Sequence, residues 1–259
     1  MKTVTSRDNP AYKAVARLVA SASERRKTGL TVLEGAHLLG AFLDAGGRPE
    51  QVMASQAGVA DAEIAGLVER SAPAAVTLLS DALFASLSAV DTPTGVLACV
   101  RTPAPRPADT AAKLVLLLED IQDPGTVGMR LRSAAAAGAE HVLLSPSCAF
   151  AWSPKVLRAA MGAHFAVNIV ERADLAAWLA EYRGQSVALA GDATQSLYDL
   201  DLTGPTALLV GNEGSGLSAQ IRRGATFSAR IPMQGRMESL NAAAAGTIAV
   251  FEAVRQRGK

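Results

Sequence analysis

Three short segments of the chain bring together the side chains and bare backbone that could hold a ligand. Arg132 follows a Pro–Gly turn, Asp123-Pro124-Gly125-Thr126-Val127-Gly128, which runs on through Met129-Arg130-Leu131-Arg132-Ser133-Ala134. Pro and Gly force a tight turn there, and Thr126 is placed to cap the helix that follows. The unpaired amides of such a helix start favour an anion, for example a phosphate, with Arg132 one turn inside leaning toward the same point. The second segment is Gly211-Asn212-Glu213-Gly214-Ser215-Gly216-Leu217. Its glycines let backbone come close to a ligand, but the order G-x-x-G-x-G is not the dinucleotide pattern, and a plain structural turn stays equally open. The third is Ile231-Pro232-Met233-Gln234-Gly235-Arg236-Met237-Glu238-Ser239-Leu240-Asn241. Either Ser239 or Glu238 caps the helix that follows, or Ser239 and Asn241 are hydrogen-bonding groups for a bound molecule.

These segments need a frame that brings them to one edge, and the apolar pattern supplies it. Leu114 to Leu118 is a continuous apolar run suited to a strand buried on both faces. His141 to Leu144, Val187 to Ala190 and Ala207 to Val210 read as further strands, with helices over Gly128–Gly138, Trp152–Gly162, Asp174–Tyr182 and Ser239–Arg257. Leu240, Ala244, Ile248, Phe251 and Val254 form one apolar stripe on the last helix. Strands alternating with helices predict a mainly parallel sheet covered on both faces, whose ligand loops sit at the carboxyl ends of strands.

The front of the chain reads as a smaller α/β unit. Asn9-Pro10 followed by Tyr12, Val15, Leu18 and Val19 predicts an amphipathic helix. Thr31–Leu33, Gln51–Met53, Val76–Leu79 and Val96–Val100 are strand candidates, with helices from Glu34 toward Leu43 and over Asp61–Arg70 and Asp81–Ser88. Thr102-Pro103-Ala104-Pro105-Arg106-Pro107 is stiff and extended, so the expected division is a domain over 1–101, a linker over 102–112 and a domain over 113–259.

With 49% hydrophobic residues the chain can bury a real core, and a net charge of +1 does not by itself announce nucleic acid. The local distribution says more. Lys2, Arg7, Lys13, Arg17, Arg25, Arg26 and Lys27 are opposed only by Asp8 and Glu24, whereas Arg48 and Arg70 stand among eight acids between Glu34 and Asp91. The basic arm, with Arg7, Lys13, Arg25, Arg26 and Lys27 as its candidate contacts, reads as a phosphate footprint or as a solvated helix face. Cys99 and Cys148 are isolated, without metal-ligand spacing, and no apolar run crosses a bilayer or follows the first basic residue as in a secretory signal. The expectation is a cytoplasmic protein without metal or membrane.

Taken together and in order, the segments of the second half resemble the SpoU/TrmH family of RNA ribose methyltransferases within the SPOUT superfamily. Its first motif, Asp-Pro-x-Asn-x-Gly followed by Arg-Thr/Ser-Ala, is matched by Asp123 to Gly128 and Arg132-Ser133-Ala134. Its second is matched by Leu209 to Ser218, and its third by Ile231-Pro232-Met233 through Glu238-Ser239-Leu240-Asn241 and the helix end from Glu252 to Arg257. Ser153 to Ala163 is similar as well. Thr5-Ser6, Asn9-Pro10, Leu33-Glu34-Gly35 and the strand from Gly95 to Val100 give the front half a shorter likeness to the substrate-binding domain often joined to this unit.

The resemblance implies a C-terminal α/β trefoil-knot domain, a homodimer, and transfer of a methyl group from S-adenosylmethionine to a ribose 2′-hydroxyl of structured RNA, ribosomal RNA favoured over transfer RNA. It implies cofactor contacts at Gly211, Ile231, Met233, Leu240 and Asn241. It implies catalytic roles for Arg132, Thr126, Glu213, Ser239 and Asn241, with Arg132 also meeting RNA. An arginine stays protonated in almost any site, so for Arg132 orienting a phosphate and the 2′-oxygen stands beside the family's proposal of a base. One residue departs from the motif: Thr126 stands where the family usually has Asn, keeping a hydroxyl but losing the amide's paired donor and acceptor. A non-catalytic RNA-binding or ribosome-assembly factor that keeps the fold is the competing reading. A Rossmann oxidoreductase or base methyltransferase lacks its glycine pattern or its Asn/Asp-Pro-Pro-aromatic site here.

Overall fold

Asn9 starts the first helix. Its Oδ1 accepts the amide hydrogens of Ala11 (2.9 Å) and Tyr12 (3.2 Å), and Pro10 occupies the first helical position, where a missing N–H is harmless. The computed structural model describes residues 3–88, 90–104, 106–235 and 240–258. Its contacts divide the chain into two units: Met1–Ala104 with Trp152–Phe165, and Pro105–Ala151 with Ala166–Lys259.

The first unit runs β1 (Thr3–Val4), α1 (Pro10–Ala20), α2 (Ala22–Thr28), β2 (Leu30–Glu34), α3 (Ala36–Asp44), β3 (Gln51–Ser55), α4 (Gln56–Ala60), α5 (Ala62–Arg70), β4 (Ala75–Leu79), α6 (Asp81–Ala85) and β5 (Val96–Arg101). The sheet order is β1-β4-β3-β5-β2, with β5 antiparallel to both neighbours and the rest parallel. Tyr12, Val15 and Leu18 of α1 pack on Val32, Met53, Leu97 and Cys99 of the sheet. The i, i+3, i+6 spacing read from the sequence is the face that is buried. Gly29 ends α2 at φ +65°, a left-handed conformation that favours glycine.

The second unit continues with β6 (Leu114–Leu118), α7 (Pro124–Ala136) and β7 (His141–Leu144). The chain then contributes α8 (Pro154–Ala160) to the first unit, where Thr31 Oγ1 donates to Trp152 O at 2.7 Å and Arg158 meets Glu34 at 3.5 Å. That segment, read from the sequence with the second half, packs with the first. The second unit resumes as β8 (Asn168–Val170), α9 (Leu175–Glu181), β9 (Gln185–Leu189), β10 (Gln195–Ser196), β11 (Thr206–Val210), α10 (Ala219–Gly224), β12 (Phe227–Arg230) and α11 (Ala242–Arg257). Its strands are all parallel, in the order β10-β12-β9-β11-β6-β7-β8. The sequence predicts this mixed α/β architecture with mainly parallel sheets. Central β6 and β11 are buried at every position, and Leu118 pairs with Val210, so their carboxyl ends finish side by side.

Two local expectations are corrected. Helix α7 begins at Pro124 rather than near Gly128, because Asp123 Oδ2 accepts the Thr126 amide at 2.6 Å and is the cap; Thr126 is already helical. Among the described residues of α11, the buried ones are Gly246, Ala249, Val250, Glu252 and Ala253. The predicted stripe lies outside this set: Leu240, Ala244 and Phe251 are exposed, and Ile248 and Val254 are half-buried. Small residues let α11 approach α7 closely, and Ser133 Oγ and Thr247 Oγ1 hydrogen-bond at 2.7 Å between them. Among the described residues, no helix is long and apolar enough to cross a membrane, and no group of His, Cys, Asp and Glu could hold a metal ion.

Candidate active site

A cleft of about 420 Å³ opens at the carboxyl ends of β9, β11 and β12. It is lined by Leu189–Asp192, by Val210–Leu217, by Ala229–Ile231 with Met233, and by Leu240 and Ala245 around the start of α11. Second and third segments therefore meet, as expected for an open parallel sheet. Gly211, Ile231, Met233 and Leu240, the candidate cofactor contacts, all line it.

Backbone chemistry shapes the second segment. Asn212 and Gly216 form a bridge (3.1 and 2.9 Å) that pinches the loop, so a Cβ on Gly211 would overlap the backbone of Gly216 and Leu217. Asn212 Oδ1 accepts the amides of Gly214 (2.8 Å) and Ser215 (3.2 Å), while its Nδ2 donates to Asp120 O at 2.8 Å. Glu119 Oε2 accepts the Ser218 amide at 2.7 Å. The loops after β6 and β11 are thus tied together. Sequence reading passed over Asn212; its side chain two and three residues before paired amides is the Asx-turn signal that could have found it.

The first segment does not line the cleft but reaches it through one side chain. Thr126, 4% exposed, donates its hydroxyl to Glu213 Oε1 at 3.0 Å, and Glu213 is a cleft residue. Arg132 is exposed on the outer side of α7, three residues from exposed Met129. Asn241 is not a lining residue: its Oδ1 accepts the Ala244 amide at 3.3 Å, a capping contact. Ser239 lies outside the described residues.

Two features were missed. Asp192 and Arg222 face each other across the rim in a bidentate pair (3.0 and 3.1 Å), and the Arg222 hydrogen bonds hold the Asp192 carboxyl below the usual range. Gly191, directly after a strand, was the available signal. Arg130 is fully buried beneath this region, and burial pushes its guanidinium down to about 10 despite the opposing pull of Glu213 and Cys148. Nothing in sequence distinguishes a buried arginine from a surface one.

In the first unit, Arg7, Arg26 and Lys27 are exposed, as is Lys13, which pairs with Asp8 at 2.8 Å. Arg25 is a correction. It is 5% exposed and its Nη1 donates to Leu18 O (2.5 Å) and Val19 O (3.1 Å), closing the end of α1 rather than facing solvent.

With this geometry in hand, known proteins are informative. Residues 113–251 match the SpoU rRNA Methylase family, and residues 9–98 match the MRM3-like substrate binding domain. The chain is 31% identical to the 23S rRNA (guanosine(2553)-2′-O)-methyltransferase RlmP of Bacillus subtilis, over 97% of the chain and 98% of that protein. Among solved structures, an RNA 2′-O ribose methyltransferase superposes with a TM-score of 0.86 at 31% identity, covering 100% of both chains. An AdoMet-bound rRNA methyltransferase from Sinorhizobium meliloti gives 0.83 at 29% identity, over 98% of this chain and 97% of that one. A substrate-binding domain thus precedes a catalytic one, and the chain belongs to the SpoU rRNA Methylase family.

Proposed function

We propose that this protein transfers a methyl group from S-adenosylmethionine to a ribose 2′-hydroxyl of ribosomal RNA. The observation that carries the reading is the convergence of Gly211, Ile231, Met233 and Leu240 on one cleft at the strand ends. The cleft suits the cofactor. Its volume falls within the roughly 300–1,000 Å³ typical of small-molecule sites, and its pinched glycine loop leaves backbone where a side chain would obstruct. That cradle and its link to Glu213 also favour an enzyme over a non-catalytic factor.

When bound, the cofactor supplies an activated sulfonium methyl. The protein's own residues then do what alignment demands. Backbone around Gly211 and Ile231 grips the donor and shields it from water. Thr126 holds Glu213 in place at the cleft. Arg132 would orient a phosphate and the 2′-oxygen through the planar fork of its guanidinium. The family resemblance gives Ser239 and Asn241 the placing of the ribose or the methionine end.

The exposed apolar residues Met129 and Phe251 on packed helices α7 and α11, with Ala244 also exposed and Ile248 half-buried, support a homodimer covering that face. Arg132 shares the face with Met129, so the second copy would complete the site. We assign to the second unit the family's trefoil knot and to residues 102–112 the first link between domains 1–101 and 113–259, with Trp152–Phe165 returning to the front unit. Exposed Arg7, Lys13, Arg26 and Lys27 would meet RNA phosphates, and the unpaired thiols of Cys99 and Cys148 suit the cytoplasm.

Mapping ribose methylation in ribosomal RNA from cells with and without the protein tests the reading. One 2′-O-methyl group should vanish with the gene and return with it. Arg132→Ala should cut transfer at least 100-fold while cofactor affinity stays within about threefold.

A further inference from the structure

The second unit contains a charged group that no contact explains. Arg130 is 0% exposed, and its Nε, Nη1 and Nη2 have no hydrogen-bond partner among the described residues. It is wedged between three elements: a Cβ built on Gly246 of α11 would lie 3.8 Å from Arg130 Nε and 3.6 Å from Val210 Cγ2, at the end of β11. Val210 and Ala245 of the same neighbourhood line the cleft. Such a guanidinium is unfavourable in place, because burying a charge without a partner costs several kcal/mol. A conformation that supplies an anion relieves this.

The anion in reach belongs to Glu213. Its carboxylate opposes the downward push of burial on Arg130, yet it hydrogen-bonds Thr126 and forms no ion pair with the arginine. Thr126 and Arg130 are four residues apart on α7, hence on one helix face, so a turn of the Glu213 side chain exchanges one partner for the other. Glu213 itself sits on the glycine loop that lines the cleft. Water there screens its attraction to Arg130 in the open state. A molecule filling the cleft removes that water and strengthens the pairing. We propose that Arg130 is a positioning residue which captures the Glu213 carboxylate when the cleft is filled, locking the 211–217 loop around the methyl donor. This deepens the methyl-transfer reading and rests on it. It also gives Thr126 a sufficient role: a hydroxyl that holds Glu213 only while the cleft is open does not need the second hydrogen-bonding group of an amide.

The test compares the wild-type protein with Arg130→Met, Arg130→Lys, Glu213→Gln and the Arg130→Met/Glu213→Gln double variant. Hydrogen exchange of the 211–217 amides is measured with and without S-adenosylmethionine, and single-turnover methylation on ribosomal RNA is measured alongside. We expect the cofactor to slow exchange of the loop at least tenfold in wild type and Arg130→Lys but less than threefold in Arg130→Met. Methylation should fall at least tenfold in Arg130→Met, return most of the way in Arg130→Lys, and fall less than threefold further when Glu213→Gln is added to Arg130→Met. Thermal melts of each variant check folding, and the lysine variant keeps the comparison open should the methionine variant not fold. Equal loop protection in Arg130→Met, loss of protection in a folded Arg130→Lys, or multiplying losses in the double variant would overturn the proposal. Protection that depends on Arg130, in a protein that methylates no RNA, would uphold the pairing and sink the RNA reading alone. A wild-type protein that binds no S-adenosylmethionine would overturn both.

Discussion

Thr126 Oγ1 and Glu213 Oε1 are joined by a 3.0 Å hydrogen bond across 87 residues of chain, and this contact links the helix after β6 to the cleft after β11. Its two ends come from different motifs, so its removal separates them without touching either backbone. Thr126→Ala should speed hydrogen exchange of the 211–217 amides in the empty cleft by roughly 10- to 100-fold, the range expected for about 1.5–3 kcal/mol from a hydrogen bond to a charged acceptor, and leave single-turnover methylation at saturating S-adenosylmethionine within about threefold. Thr126→Asn should stay near wild type. A Thr126→Ala loop that exchanges like wild type in the empty cleft would show that the link is idle.

Gly211→Ala puts a methyl group into the backbone of Gly216 and Leu217. The Asn212–Gly216 bridge must open to admit it. Calorimetry should show S-adenosylmethionine bound at least tenfold more weakly. Gly66→Ala, which meets nothing within 4 Å in α5, serves as the comparison: it should leave binding alone and raise stability by about 0.5–1 kcal/mol.

The basic arm separates into two kinds of residue. Replacing exposed Arg26 and Lys27 by alanine should weaken RNA binding and reduce the salt slope by about 1–2. Arg25→Ala should instead cost about 1–3 kcal/mol of folding stability, since the Leu18 and Val19 carbonyls lose their donor. A titration of affinity against salt, paired with urea melts, distinguishes these outcomes.

Burial pushes the Cys99 thiol from its ordinary 9.0 up to about 11. The folded protein holds this proton when the unfolded chain has released it. Stability from Cys99 is therefore complete below pH 9 and drains away as pH rises toward 11, by about 2–3 kcal/mol in all. Cys99→Val should flatten that part of the pH–stability curve. An identical alkaline decline in the variant would assign the loss to other groups.

Much of this molecule can be read from residue order, and the exceptions have physical reasons. Buried parallel strands such as Leu114–Leu118 and capped amphipathic helices such as α1 announce themselves through local pattern. Strand β12, Phe-Ser-Ala-Arg, shows no such run and exists because β9 and β10 pair with it on either side. In α11 the larger apolar residues misled, because alanine and glycine make the close face against α7 while Phe251 points outward. For the site, a glycine loop after a strand was legible from local pattern, whereas Gly211, Ile231, Met233 and Leu240, which line one cleft, were named only through the family resemblance. Arg25 and Arg130 were not legible, since burial of a long cationic side chain depends on what the rest of the chain places around it.

The path of the chain through α8 has a last consequence. Because Trp152–Phe165 belongs with Met1–Ala104, polypeptide passes between the units at 104–105, again at 151–152 and again at 165–166. Proteolytic nicking of the proline-rich stretch near Arg106 would divide the front unit itself, leaving Trp152–Phe165 on the C-terminal product and only noncovalent packing to hold that unit together. A fragment ending at Ala104 would also expose the sheet edge that α8 covers and strand the Thr31 hydroxyl without its carbonyl. The front unit is discontinuous in sequence, so it cannot be transplanted as a simple N-terminal cassette.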